Sequence, residues 1–135
     1  MKKLFAVALM ALTLGACNND KVQEKAILDD VIKLHDTVMG KDEKLMKNKM
    51  KIDTLLTTIK DTLAQQPLKK LSTNLVTAEE AMENWMQNFD PEQNGKTHEQ
   101  VVTYLNDQKK QVVAIDSQIN VAIKQSSEYL NQLPK

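Results

Sequence analysis

The chain carries two histidines and one tryptophan, and every methionine beyond residue 10 lies between residues 39 and 86. His35 and Met39 are four residues apart and share a helix face. Met82 and Met86 repeat that spacing, with Trp85 beside them. Thioethers and imidazole suit Cu(I) or a similar soft ion, and a Trp face can sit against a cation. His35, Met39, Met82 and Met86 are therefore candidate ligands, and His98 is expected at the same end of the molecule. The same residues also have a packing reading, since Met at helical spacing is far more often packing than ligand. In that reading Met82 and Trp85 are core, Met39, Met46, Met50 and Met86 fill gaps, and His35 is a half-exposed helix residue.

A second chemical feature is Cys17, the only cysteine in the chain. Lys2 and Lys3 precede an apolar run, residues 4–14, that is too short to span a bilayer, which takes ~20 apolar residues. Charge, apolar run and small residues then follow the order of a secretory signal. Leu14-Gly15-Ala16-Cys17 resembles the bacterial lipobox. That resemblance implies removal of residues 1–16 and addition of a diacylglycerol and an N-acyl chain at Cys17. Each buried CH₂ contributes about 0.8 kcal/mol, and one chain alone binds only marginally, so several chains on one residue make a lasting anchor. Asn18 after the cysteine favours the outer membrane by the usual sorting rule. The expected location is the cell envelope, outer membrane, facing the periplasm.

Removing sixteen residues from 135 leaves 119, a length suited to one domain. That part holds 16 Lys, no Arg and 18 acidic residues, a net charge of −2. Arginine is the favoured residue for bidentate phosphate and guanine contacts. Its absence and the mild acidity argue against a nucleic-acid partner. No Gly-rich phosphate loop, His-Glu-x-x-His or nucleophile elbow is present. Asp29-Asp30 and Glu79-Glu80 are adjacent pairs whose side chains diverge on a helix and make poor acid/base dyads. The chain is read as non-enzymatic, with no cofactor beyond the lipid at Cys17 and, in the alternative reading, Cu(I).

These side chains need elements to position them, and the pattern is helical throughout. Few Gly, Pro and aromatic residues argue against a β-rich fold. After a lipidated tether at residues 17–21, a bundle domain over residues 22–135 is expected. Ile27, Val31, Leu34 and Val38 form a heptad-like seam. Leu45, Ile52, Leu55 (or Leu56), Ile59 and Leu63 form a second. Gln65-Gln66-Pro67 predicts a break. The third segment places Leu68, Leu71, Leu75, Ala78, Met82, Trp85 and Phe89 on one face. Residues 90–96 read as a loop, and Thr97 with Gln100 as a capping box. The last helix carries Val101, Leu105, Val112, Ile115, Ile119, Ala122, Tyr129 and Leu133.

Gly40 decides the topology. Gly suits the position just past a helix end and Asp42 suits an N-cap. Yet the seam continues in phase through it as Ile27, Val31, Leu34, Val38, Lys41, Leu45, Asn48 and Ile52, and one Gly costs only ~1 kcal/mol in a helix. One helix over residues 22–64 is roughly 65 Å long, whereas residues 67–89 span about 35 Å and leave its first half uncovered. Burial of apolar stripes therefore favours an all-α, antiparallel, coiled-coil-like bundle of four segments turning at Gly40, or of three if the helix continues. The last helix outlasts its partners in either arrangement, and its end is expected to protrude.

The phrases His35-Asp36-Thr37-Val38-Met39 and Ala81-Met82-Glu83-Asn84-Trp85-Met86-Gln87-Asn88-Phe89 resemble a family of small, uncharacterised bacterial lipoproteins. Its members are often labelled automatically as viral A-type inclusion proteins, a label that reflects coiled-coil composition. The resemblance implies an envelope lipoprotein with helical segments and supplies no catalytic or binding residue. Many members have Pro near the position of Gly40, which implies a break or kink there. The Met, His and Trp set is also similar, in residue type only, to periplasmic copper and silver chaperones, whose β-barrel fold differs. The expected function is a membrane-anchored envelope lipoprotein that binds or scaffolds an envelope protein through helical surfaces. The alternative is a soft-metal-binding lipoprotein.

Overall fold

The computed structural model describes residues 14–133, with side chains from residue 19 onward. The signal segment through residue 13 lies outside the described residues, and so do the Cys17 thiol and its lipidation. The described chain is all-α, with no strand among the described residues. Four helices follow one another: α1 (Leu14–Met39), α2 (Asp42–Thr58), α3 (Thr62–Asn88) and α4 (His98–Asn131).

The chain does not reverse at Gly40. Its amide donates to Asp36 O at 3.0 Å, an ordinary helical bond, and the Lys41 amide then donates to Val38 O at 2.9 Å. Lys41 stays in the right-handed helical region (φ −95°, ψ −11°), and its side chain makes no cap bond to α2. Asp42 is thus the first residue of α2 and not its N-cap. Among the described residues, α1 packs on α4 and makes no comparable contact with α2. The two helices form one rod, tightened for a single turn and roughly 65 Å long at 1.5 Å per residue. The preferred four-segment arrangement is corrected to three rods.

The first half of the long rod is covered by α4. Glu24 meets His98, Asp30 meets Lys109, Lys41 meets Asp116 and Asn48 meets Ser126. The numbers rise together, so α1–α2 and α4 run parallel. In contrast, α3 runs antiparallel to the rod, with Asp53 bonded to Ser72 at 2.9 Å and His35 beside Met86. The extra length of α4 is laid along α1 instead of protruding as expected.

The helix also begins earlier than the sequence suggests, since residues 18–21 belong to α1. Nothing in Asn18-Asn19-Asp20-Lys21 breaks a helix, and Lys21 pairs with Glu24 one turn on, at 2.7 Å. The second break lies at residues 59–61 and not at 65–67. Asp61 caps α3 by accepting from the Leu63 amide at 2.9 Å. Gln65 Nε2 donates to Leu56 O at 3.2 Å and Ile59 O at 2.7 Å, serving carbonyls left over at the end of α2. Pro67 sits inside α3. The partner it cannot serve is the Leu63 carbonyl, at a position open to water. Leu63, expected in a core seam, is 81% exposed.

The core is the three facing seams: Val31, Val38, Leu45 and Ile52 from the rod, Leu68 to Trp85 from α3, and Val112 to Ala122 from α4. Two facing positions of the core, Asn48 and Ser126, are polar. Asn48 is 2% exposed, and its amide donates to Ser126 Oγ and Ser127 Oγ, each at 2.8 Å. A single buried amide of this kind sets register between helices. Asn48→Ala is expected to cost about 1–3 kcal/mol in denaturant unfolding, because it strips both hydroxyls of their donor. A methyl at Gly40 would meet only Thr37 O at 3.4 Å and Asp36 O at 3.7 Å, ordinary contacts. Gly40→Ala is therefore expected to stabilise the protein by about 0.5–1 kcal/mol. A fall in the thermal midpoint would instead mean that the chain reverses there.

Candidate functional site

The antiparallel course of α3 brings the two Met-bearing turns of the sequence face to face. His35, near the end of α1, places Nε2 3.2 Å from Met86 Sδ on α3. Its other nitrogen, Nδ1, is 3.2 Å from Asp36 Oδ1. Met39, one turn further along α1, lines a cleft of about 300 Å³ together with Met82 and Met86. Asp42, Glu79 and Glu83 line the same cleft. Met82 is 4% exposed and forms the apolar floor, while Met86 is 41% exposed at the mouth. Three of the four candidate ligands, Met39, Met82 and Met86, thus line one cleft where α1 passes into α2, and His35 adjoins it through Met86.

Trp85 is a core residue. Its indole N–H donates to Gln108 Oε1 at 2.8 Å, and Phe89 stacks on its ring with centroids 4.8 Å apart. The His35 ring lies 5.7 Å away at a tilt of 30°. Phe89 continues to Tyr104 at 6.3 Å, and Lys96 Nζ lies 4.8 Å from the Tyr104 centroid. This ladder closes the α3–α4 loop over the α1 side of the bundle. The Tyr104 hydroxyl also accepts from the Asp90 amide at 2.8 Å. The expected capping box is present, with the Thr97 hydroxyl on the Gln100 amide and the Gln100 side chain on the Thr97 amide.

His98 does not join the methionines. It lies beside α1 about three turns below His35, with Nδ1 3.0 Å from Glu24 Oε1 and Nε2 3.7 Å from Asp20 Oδ1. The parallel course of α4 along the rod carries it there. Met46 packs partly buried against the core, and Met50 is exposed far along α2. Asp36, Asp42, Glu79 and Glu83 were not singled out from sequence as part of this site. The signal for the last two was present, since Glu79, Met82, Glu83 and Met86 share one helix face. Among the described residues, no group of three or more His, Cys, Asp and Glu side chains is arranged to hold a metal ion. The cleft offers three thioethers and three carboxylates, with the His35 imidazole against Met86 at its edge.

No family model, no curated protein and no solved structure matches this chain.

Away from the cleft, ion pairs run within and between the helices. Lys21 and then His98 hold the Glu24 carboxyl below its ordinary value of 4.5 by hydrogen bonding. Lys109 does the same for Asp30, and Lys49 for Asp53 with help from the Ser72 hydroxyl. Asp53 in turn raises Lys49. Carboxyls lowered in the folded state contribute stability that is present above their unfolded values and lost as pH falls through the folded ones. The α1–α4 end is therefore expected to loosen below about pH 4.5, seen as faster amide exchange in residues 20–35. A Glu24→Gln variant should lose less stability over the same acid range than the parent; an identical acid profile would remove Glu24 from this role.

Proposed function

We propose that the protein is a non-enzymatic, lipid-anchored component of the cell envelope that holds a partner through the far end of its helical bundle. The observation that carries this reading is an apolar groove of Met50, Thr54, Leu55, Leu130 and Leu133 at the end of the bundle remote from Cys17. Met50 there is 66% exposed. Lys51 borders the groove and gives it a positive edge. An amphipathic helix with an apolar stripe and an acidic flank is the complementary occupant, in the helix-in-groove mode.

The anchor is supported by the order Lys2-Lys3, apolar run, Leu14-Gly15-Ala16-Cys17. Among the described residues no helix is long and apolar enough to cross a membrane, so in this reading attachment rests on the lipid. From Cys17 to Met50 the rod rises roughly 50 Å, which sets the groove well clear of a bilayer surface. The outer membrane, periplasmic face, is the proposed location, on the strength of Asn18. The resemblance to small bacterial envelope lipoproteins points the same way.

Mass spectrometry of the purified protein is expected to show an acylated Cys17 as the first residue, and Cys17→Ala should leave the membrane fraction. A photo-crosslinker at position 50 should give one discrete adduct in intact cells, lost in Leu130→Glu, while the same probe at Val113 gives none. An unacylated amino terminus would end the anchoring claim. Equal labelling from positions 50 and 113 would end the claim for the groove.

A further inference from the structure

We propose that His35, Met39, Met82 and Met86 form a binding site for one Cu(I) ion at the joint between α1 and α2. The argument starts from the two atoms that face each other across the helices. Met86 Sδ is a thioether and has lone pairs but no proton. His35 Nε2 lies 3.2 Å from it. The Asp36 carboxylate, 3.2 Å from Nδ1, is placed to accept a hydrogen bond from an Nδ1–H, and in that tautomer Nε2 carries no proton. Nε2 then presents a lone pair to sulfur. Two lone pairs held towards each other have no hydrogen bond to gain, and a cation between them converts the contact into coordination. A ligating imidazole whose other nitrogen donates to a carboxylate is the usual arrangement around a protein-bound metal.

The remaining donors share a cleft with Met86. Met39 is one turn along the rod from His35, and Met82 one turn along α3 from Met86; both line the same cleft. The donor set is one nitrogen and three thioethers, which selects a soft monovalent ion over Mg²⁺, Ca²⁺ or Zn²⁺. Asp42, Glu79 and Glu83 at the cleft wall add a negative field that raises the local concentration of cations. These carboxylates form no hard-metal group of their own among the described residues. Met50 is the internal control: it is the same residue type, exposed, and lies far from the cleft.

The test is a Cu(I) titration of the full chain in detergent, under reducing conditions and against a chromophoric Cu(I) chelator. One equivalent is expected to move from chelator to protein. Binding should quench the emission of Trp85, the only tryptophan, because its ring lies 5.7 Å from His35. Met86→Leu and His35→Gln alter half-exposed side chains and keep the core, so helix content by circular dichroism should not change. Each should weaken Cu(I) by more than about tenfold, and Asp36→Asn by about tenfold through the imidazole it orients. Met50→Leu should bind as the parent does. Failure of the parent to compete with the chelator would overturn the site. So would parental affinity in both Met86→Leu and His35→Gln, or a loss in Met50→Leu as large as theirs.

Discussion

One seam, apolar except at Lys41 and Asn48, keeps its phase along the α1–α2 rod, and the rest of the molecule is arranged to cover it. Val31, Val38, Leu45 and Ile52 are all buried on that seam, and no single partner covers them. The shorter α3 packs on α2 and reaches only as far as His35; the longer α4 packs on α1, α2 and α3. Burial of such a stripe is worth roughly 25 cal/mol for each Å² removed from water, a stronger demand than the preference of one glycine for a helix end. Gly40 is accordingly held close to helical geometry, and its neighbour Lys41, at a core-facing position, answers with an ion pair to Asp116.

The same stripe explains what was legible in the sequence and what was not. The seam through Lys41 and Asn48 was readable residue by residue, because a phase that survives an interruption belongs to one helix. Its polar members were readable only as exceptions; that Asn48 finds Ser126 and Ser127 depends on α4 running parallel, a long-range fact. The turn expected at Gly40 came from comparing the rod with residues 67–89 alone. The extra length of the last helix is plain in the sequence; that it covers α1 depends on its running parallel to the rod. Pro67 was a misleading breaker, since a proline early in a helix interrupts only one bond. The true boundary at residues 59–61 is made by Asp61 and by Gln65 reaching back across the turn, a side-chain contact that pattern alone does not announce.

Of the candidate site, the i, i+4 pairs His35/Met39 and Met82/Met86 were legible as helix-face partners, and their meeting required only that α3 return along the rod. His98 follows the Met-bearing end of α3 closely in sequence, yet it does not share its height along the bundle. It opens α4, and the direction of α4 relative to α1 decides its height; paired with Glu24, it closes the lower end of the bundle. The orienting carboxylate Asp36 adjoins His35 in sequence, and successive helix residues point roughly 100° apart. That geometry makes such a neighbour easy to dismiss, yet the imidazole is long enough to turn Nδ1 back towards it.

The three features of interest fall at successive heights on a single rod: Cys17 at one end, the Met-lined cleft at the joint, and the Met50 groove beyond it. At the joint the Lys41 amide bonds three residues back instead of four, and α2 starts without a side-chain cap. The cleft is built from both sides of that joint, with Met39 from α1, Asp42 and Leu45 from α2, and Met82 and Met86 from α3 behind them. The Met50 groove lies about three turns further along the same rod, where α2 faces the end of α4, so the continuity of the rod through Gly40 is what places both clefts on one side-chain seam system.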